Sequence, residues 1–338
     1  MRKLFGIFFS LTLLGLFLTN VSTVFAQENQ GLNITISPSS FDITAKPGEK
    51  IQQRLRVRNN MSVPLTLHLH ADILSVDEKG QIVPVTAKTN DSYLTWLELT
   101  PVTTSAKPKE WTDFSVTLSV PSDAAFGYYY ALHITQDPTT VTDSTTKVLG
   151  DVILPILLNV EKVGETREGK ISSFLPTNFV NEYLPVDFTV DIKNTGNTHL
   201  RPHGNIFIRD GNKDIATLDV NQAGGAILPD TSRKFQSSWS DGFFVITTET
   251  KDGRTEKHLQ INWDKIPQFR IGKYTANLSI IYDGGTRDIL LEKTTTFWIF
   301  PYRLIGGTLI GIALCIFLVR VILKFYIRHE IQKHQKKV

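Results

Sequence analysis

Two histidines, His68 and His70, stand two residues apart in Leu65-Thr-Leu-His-Leu-His70. Residues i and i+2 of an extended chain share a face, so both imidazoles project from one side of a strand. Such a pair can supply two ligands to zinc, which takes three or four from the protein. His133, His199, His203 and His258 are scattered and lack ligand spacing. The pair therefore reads as solvated or hydrogen-bonded strand histidines, with no metal site. Nucleophile and phosphate chemistry is equally sparse: there is no Gly-x-Ser-x-Gly, no Walker loop and no Gly-x-Gly-x-x-Gly. Asp77, Glu78 and Asp210 fall in expected turns, where carboxylates serve turn geometry. A glycosidase pair leaves no sequence signature, so a carbohydrate-active enzyme stays open as an alternative. The main expectation is a protein without catalytic residues or cofactor.

Aromatic residues are the other candidates. Tyr128, Tyr129 and Tyr130 cannot share one strand face; the outer two point one way and Tyr129 the other. Core or corner packing is expected for them. Trp239, Phe243, Phe244 and Trp263 gather around one expected hairpin. They form a candidate contact patch if exposed, or else pack the hairpin onto the fold.

These side chains sit on strands almost throughout. Leu55 and Val57 alternate with Arg54, Arg56 and Arg58; Phe114, Val116, Leu118 and Val120 alternate with Ser115, Thr117 and Ser119. Period-two alternation broken by Lys46-Pro-Gly-Glu49, Lys79-Gly80 and Pro121 predicts short antiparallel strands. Thr139–Thr146 reads as an exposed loop, and Asp252-Gly253 as the turn of an extra hairpin over 243–263. The chain also echoes itself. Val57-Arg58-Asn59 leads to Leu65 as Ile192-Lys193-Asn194 leads to Leu200, and Gly127-Tyr-Tyr129 is echoed by Gly272-Lys-Tyr274. The offset of about 140 residues is a domain length, far above the period of a solenoid. The expected fold class is all-β: two tandem immunoglobulin-like β-sandwiches, residues 27–163 and 164–300, plus one C-terminal transmembrane helix.

The ends set the context. Residues 1–26, with Arg2 and Lys3 before an apolar run and Ala26 at the cut, read as a signal peptide. Residues 301–323 are long and apolar enough to cross a bilayer. Trp298 and Tyr302 flank the span on one side, Arg320 and Lys324 on the other, as membrane anchors. Residues 324–338 form a basic tail, so positive-inside asymmetry puts the N-terminus outside and the C-terminus in the cytoplasm. The formal net charge of +3 hides this division: the leader carries +2, Arg303 +1 and residues 320–338 +5, leaving residues 27–302 at −5. That acidic ectodomain offers no nucleic-acid footprint. The only cysteine, Cys315, lies inside the span, so the ectodomain has no internal disulfide.

The layout resembles the WxL-interacting proteins of Gram-positive bacteria. It does so through Pro47-Gly48-Glu49, Arg58-Asn59-Asn60, Lys193-Asn194-Thr195-Gly196-Asn197 and the Phe297-Trp298 strand entering the membrane. The resemblance implies peptidoglycan binding by the first domain and protein contacts by the second, and carries over no individual residue. The function expected from sequence is a membrane-anchored, non-enzymatic bacterial cell-surface protein, with membrane lipid and either peptidoglycan or another surface protein as partners. The alternative is an extracytoplasmic assembly or secretion factor that pairs with a client by strand addition.

Overall fold

The computed structural model describes residues 32–83, 92–136, 150–251, 254–265 and 270–335. The expected leader, the Thr139–Thr146 loop, the Asp252-Gly253 turn and residues 336–338 lie outside this set. The described chain is mostly β, with one long apolar helix at its end.

The N-terminal half contributes nine strands: β1 (Ile34–Ser37), β2 (Phe41–Ala45), β3 (Lys50–Asn59), β4 (Leu65–Ile73), β5 (Leu97–Thr100), β6 (Thr103–Ala106), β7 (Trp111–Ser119), β8 (Phe126–Gln136) and β9 (Asp151–Val160). They form two sheets, ordered β1-β3-β7-β5 and β2-β9-β8-β4-β6. The C-terminal half contributes β10 (Gly169–Pro176), β11 (Val180–Asn181), β12 (Val186–Asn194), β13 (His203–Asp210), β14 (Lys213–Val220), β15 (Ser232–Trp239), β16 (Phe244–Lys251), β17 (Arg254–Ile261), β18 (Gly272–Asp283) and β19 (Asp288–Ile299). Its sheets run β10-β12-β15 and β11-β19-β18-β13-β14, with β16-β17 a separate hairpin. The two halves use the same device at their start. A first strand pairs antiparallel (β1 with β3, β10 with β12), and the next short strand crosses to the facing sheet and pairs parallel (β2 with β9, β11 with β19).

Alternation explains why each sheet pair closes on its own core. On β3 Leu55 and Val57 are fully buried while Arg54, Arg56 and Arg58 face water. The first core collects Leu67, Phe114, Tyr130 and Leu158; the second collects Phe188, Ile206, Trp239 and Phe297, with no residue shared. Arg54 forms a two-pronged ion pair with Asp113 on the neighbouring strand at 2.9 and 2.7 Å. It is exposed and adds little stability.

The sequence echo at Asn59 and Asn194 has a physical cause. Both side chains are fully buried. Asn59 donates to the carbonyls of Val63 (2.8 Å) and Ala106 (3.0 Å), and accepts from the Met61 amide (2.8 Å). Asn194 donates to Thr198 (2.7 Å) and Ile227 (2.9 Å) and accepts from Gly196 (2.9 Å). Each asparagine thus bonds three backbone groups, two in the tight loop after its strand and one on a neighbouring segment, and so fixes the loop to the sandwich.

The halves are joined through the outer face of the β8–β9 sheet. Tyr129, Ala131 and Leu157 pack with Leu74 and with Leu228 of the second half. Around them the Gly127 amide donates to the Asn197 carbonyl at 3.3 Å, and Thr198 donates to Asn159 at 3.0 Å. Arg201 reaches Asp42 at 2.7 Å, and Lys234 pairs with Glu78. This accounts for the three tyrosines. Tyr130 and Tyr128 face the first core, and Tyr129, on the opposite face, is covered by the other half.

Helix α1 (Tyr302–Gln335) begins three residues after β19. Its first 23 residues, Tyr302–Lys324, contain an 18-residue window with a mean hydropathy of 2.4, none of which is buried against the rest of the chain. At 1.5 Å per residue Tyr302–Lys324 is about 35 Å long, enough for a hydrocarbon core of about 30 Å. The expected division between span and tail at residue 323 is not a structural break, because the helix continues to Gln335.

Candidate functional site: an open strand edge and an apolar cleft at the root of the helix

The root of α1 is tied firmly to the sheet. The Trp298 amide donates to the Phe179 carbonyl and the Phe300 amide to the Asn181 carbonyl, each at 2.7 Å. The Arg303 amide donates to the Glu182 carboxylate at 3.0 Å, which places an anion on the first turn of the helix, where the peptide dipoles favour it. Arg303 also lies over the Tyr302 ring at 5.7 Å. Phe179, Val180, Trp298, Phe300 and Tyr302 are all exposed around this root. They form an aromatic and aliphatic collar of the kind that sits at headgroup depth.

Beside the collar lies a cleft of about 270 Å³, walled by Leu184, Phe244, Leu259, Ile271, Pro301 and Leu304. The extra hairpin makes one wall. It is held by the Ile246 amide donating to the Leu184 carbonyl (2.7 Å) and the Asn262 amide donating to the Phe243 carbonyl (2.8 Å). Tyr183 on Phe244 (5.6 Å) and Phe243 on Trp263 (5.6 Å) complete the packing. Gly242 gives this contact its room: a Cβ there would come 2.5 Å from the Leu184 Cδ1 and push that side chain aside. Strand β17 pairs only with β16; among the described residues no strand covers its other edge along eight residues. Leu259 and Ile261, on one face of β17, are half exposed. Trp263 just beyond them is 68% exposed.

The long edges of the second half are otherwise approached by other elements. Lys293 of β19 reaches over β10 to the Ser172 carbonyl at 3.2 Å, and Ser237 of β15 donates to the Asp219 carbonyl of β14 at 2.7 Å. The Lys234 amide of β15 donates to the Glu78 carbonyl of the first half at 2.5 Å. In the first half the edge strands β1, β2, β5 and β6 have only four or five residues each. Short edges are poor templates for pairing, and a long uncovered one is an invitation to it.

The expected contact patch of Trp239, Phe243, Phe244 and Trp263 is divided by the fold. Trp239 is fully buried, packed on Tyr274 at 5.3 Å and Phe297 at 6.0 Å. It takes an inward position on β15, opposite Val186. Phe243 is buried as well. Phe244 lines the cleft, and only Trp263 is a surface residue. Of the expected membrane anchors, Trp298 and Tyr302 stand exposed at the near end of the span, and Arg320 and Lys324 at its far end. Sequence reasoning missed Leu184, Leu259, Ile271 and Leu304. The available signal was Leu259 alternating with Ile261 in an otherwise polar strand.

Two further groupings bear on chemistry. Asp42, Arg201, Arg167 and Asp283 line a polar groove between the halves. Each carboxylate there is engaged by a guanidinium, Asp42 by Arg201 and Asp283 by Arg167. The bond from His199 and the charges of His199 and Arg201 hold Asp42 below its ordinary value despite partial burial. A glycosidase acid needs the opposite shift. The second grouping corrects the reading of the histidines as scattered: strand pairing sets His133 directly opposite His70.

No protein-family model matches the chain, and no curated protein matches it. Solved structures do. The YadV chaperone is 10% identical, with a TM-score of 0.36, over 78% of this chain and 99% of its own. The Class 5 fimbriae chaperone CfaA is 14% identical, TM-score 0.36, over 77% and 99%. The CsuC–CsuE chaperone–tip adhesion subunit pre-assembly complex of Acinetobacter baumannii gives 12% and 0.34 over 77% and 97%. The likeness is one of β architecture. The expectation of a cell-surface binder, holding a wall polymer or another surface protein, is corrected here in favour of the assembly-factor alternative. The aromatic patch offered for contact is half interior, with Trp239 and Phe243 buried. The cavity at the helix root is mainly apolar, and the two charged residues in its lining are already engaged, Glu182 by Arg303 and Arg270 by Asp241.

Proposed function

We propose that this chain is a membrane-anchored, non-enzymatic assembly factor that holds an extended segment of a client polypeptide by strand addition. The observation that carries the reading is the uncovered eight-residue edge of β17, standing over the apolar cleft at the root of α1. An added strand would take its hydrogen bonds from the β17 backbone, and alternate apolar side chains would enter the cleft. Full burial of one Leu-sized side chain contributes about 1.5–3 kcal/mol.

In this reading residues 27–163 and 164–300 are two tandem immunoglobulin-like domains. Residues 1–26 are a leader, residues 301–323 span the membrane and residues 324–338 lie in the cytoplasm. The common strand pairing of the halves and the paired asparagines support the duplication, and the layout keeps its resemblance to WxL-interacting proteins. The collar at Trp298 and Tyr302 seats the second domain on the bilayer, so the client is held close to the membrane as it emerges.

The test uses the full chain in its own membrane, with a photo-crosslinking side chain at position 259 and a control at Thr217 on β14. The 259 probe is expected to capture a polypeptide, and Leu259→Glu to abolish function without unfolding the chain. In the isolated complex the β17 amides should exchange with deuterium more slowly than in the free protein. Unchanged exchange of those amides, or capture of lipid alone, would overturn strand addition.

A further inference from the structure

On the outer face of the first half, away from the cleft, three strands bring four titratable side chains together. His70 and Asp72 lie on β4 two residues apart, His133 lies opposite His70 on β8, and Asp151 begins β9. The imidazoles of His70 and His133 stack with centroids 4.6 Å apart and planes within 10°. Their Nε2 atoms stand 3.9 and 3.7 Å from the same Asp72 carboxylate oxygen. These separations are longer than hydrogen bonds. The three ligand-bearing atoms lie within 4.8 Å of one another. Two ligands on one tetrahedral zinc are about 3.3 Å apart, for metal–ligand bonds of about 2.0–2.2 Å. Closing the difference requires the two imidazoles to rotate out of their stack, so that both Nε2 lone pairs converge on one centre.

We propose that His70, Asp72 and His133 bind one divalent transition-metal ion, zinc by the character of the donor set, with a fourth position open to water. The supporting group is Asp151. Its carboxylate accepts from His133 Nδ1 at 2.7 Å. That bond places a proton on Nδ1, so Nε2 is the nitrogen that would ligate the ion. A carboxylate behind the imidazole in this way orients a ligand and raises its basicity. His133 is also the least exposed of the set, at 16% of its side chain, whereas Asp72 is 63% exposed. One wall of the site is thus fixed and the other accessible to an incoming ion. His68 stays outside the group, turned to Thr103 at 2.9 Å. Two nitrogens and a carboxylate suit zinc and its neighbours; calcium and magnesium favour all-oxygen sets. The ion would join β4 to β8 and, through Asp151, to β9. On the same sheet face Leu74, Tyr129 and Leu157 receive the second half.

The experiment takes the full chain in detergent, purified without a histidine tag, stripped with a chelator and titrated with zinc against a chromophoric competitor. One zinc per chain is expected. His133→Ala and the exposed-site variant His70→Ala should each weaken binding by 100-fold or more, with unchanged circular dichroism. Asp151→Asn should retain the stoichiometry and lose about 10–100-fold in affinity. His68→Ala and His203→Ala should bind as the parent does. Cobalt in place of zinc should show the intense visible bands of a low-coordinate site. No saturable binding, binding that survives His70→Ala and His133→Ala together, or equal competition by calcium would overturn the proposal.

Discussion

Asn194→Ala should be among the most damaging polar substitutions in the chain. The side chain is fully buried, and its removal takes a hydrogen bond from three backbone groups at once. The Thr198 carbonyl is left unpaired, whereas the Ile227 carbonyl keeps the Leu200 amide at 3.0 Å and the Gly196 amide keeps the Glu168 carbonyl at 3.2 Å. A buried polar group left unpaired costs about 1–3 kcal/mol. One unpaired carbonyl and two groups that each lose one of their bonds put the expected loss at about 2–4 kcal/mol, against a stability of about 5–15 kcal/mol for a typical domain. The same reasoning applies at Asn59, which serves Val63, Ala106 and Met61. Asn194→Asp sharpens the test. It keeps the acceptor for Gly196 but loses both donors, setting a carboxylate against two carbonyl oxygens, and should be worse than alanine. The assay is urea unfolding of the full chain in detergent, followed by hydrogen exchange in each half. Amides of β10–β15 should lose protection in the Asn194 variants and those of β3–β8 in the Asn59 variants. A loss below about 0.5 kcal/mol for Asn194→Ala, or an aspartate variant milder than the alanine one, would refute the reasoning.

Other outcomes test the joint and the anchor. The depressed Asp42 carboxyl contributes stability above its unfolded value of about 3.8, and that contribution is lost as pH falls through the lower folded value. Asp42 is 43% exposed, so screening holds the effect under about 1 kcal/mol. Thermal midpoints of wild type and Asp42→Asn should differ at pH 5 and converge below pH 3.8; a gap that widens on acidification would contradict this. Leu228→Asp puts a charge into the apolar contact between the halves, and should speed tryptic cleavage at Lys162 and Arg167 in the connection while leaving both cores folded. A fluorescent protein that matures only in the cytoplasm, fused after Val338, should be bright; activity of an export-dependent phosphatase at the same point would reverse the proposed orientation.

Much of the fold was legible because β structure writes its pattern locally. Burial alternates along β3 and β12 as the apolar residues do, since successive side chains on a strand face opposite ways. The helix was legible from length and hydropathy alone. The Asn59 and Asn194 echo was legible too, because a loop of fixed shape needs the same amide at the same offset.

What remained hidden depended on which strands are neighbours. Nothing in the spacing of His70 and His133, or of Asp72 and Asp151, says that β4, β8 and β9 lie side by side. Trp239 and Trp263 look alike in sequence, yet one is interior and one exposed, because only the first lies on a strand that faces the second core. The cleft is the clearest case. Leu184, Leu259, Ile271 and Leu304 come from four separate stretches. Local preference decides the conformation of each stretch, whereas the space between them exists only once the sheets, the hairpin and the helix root have packed.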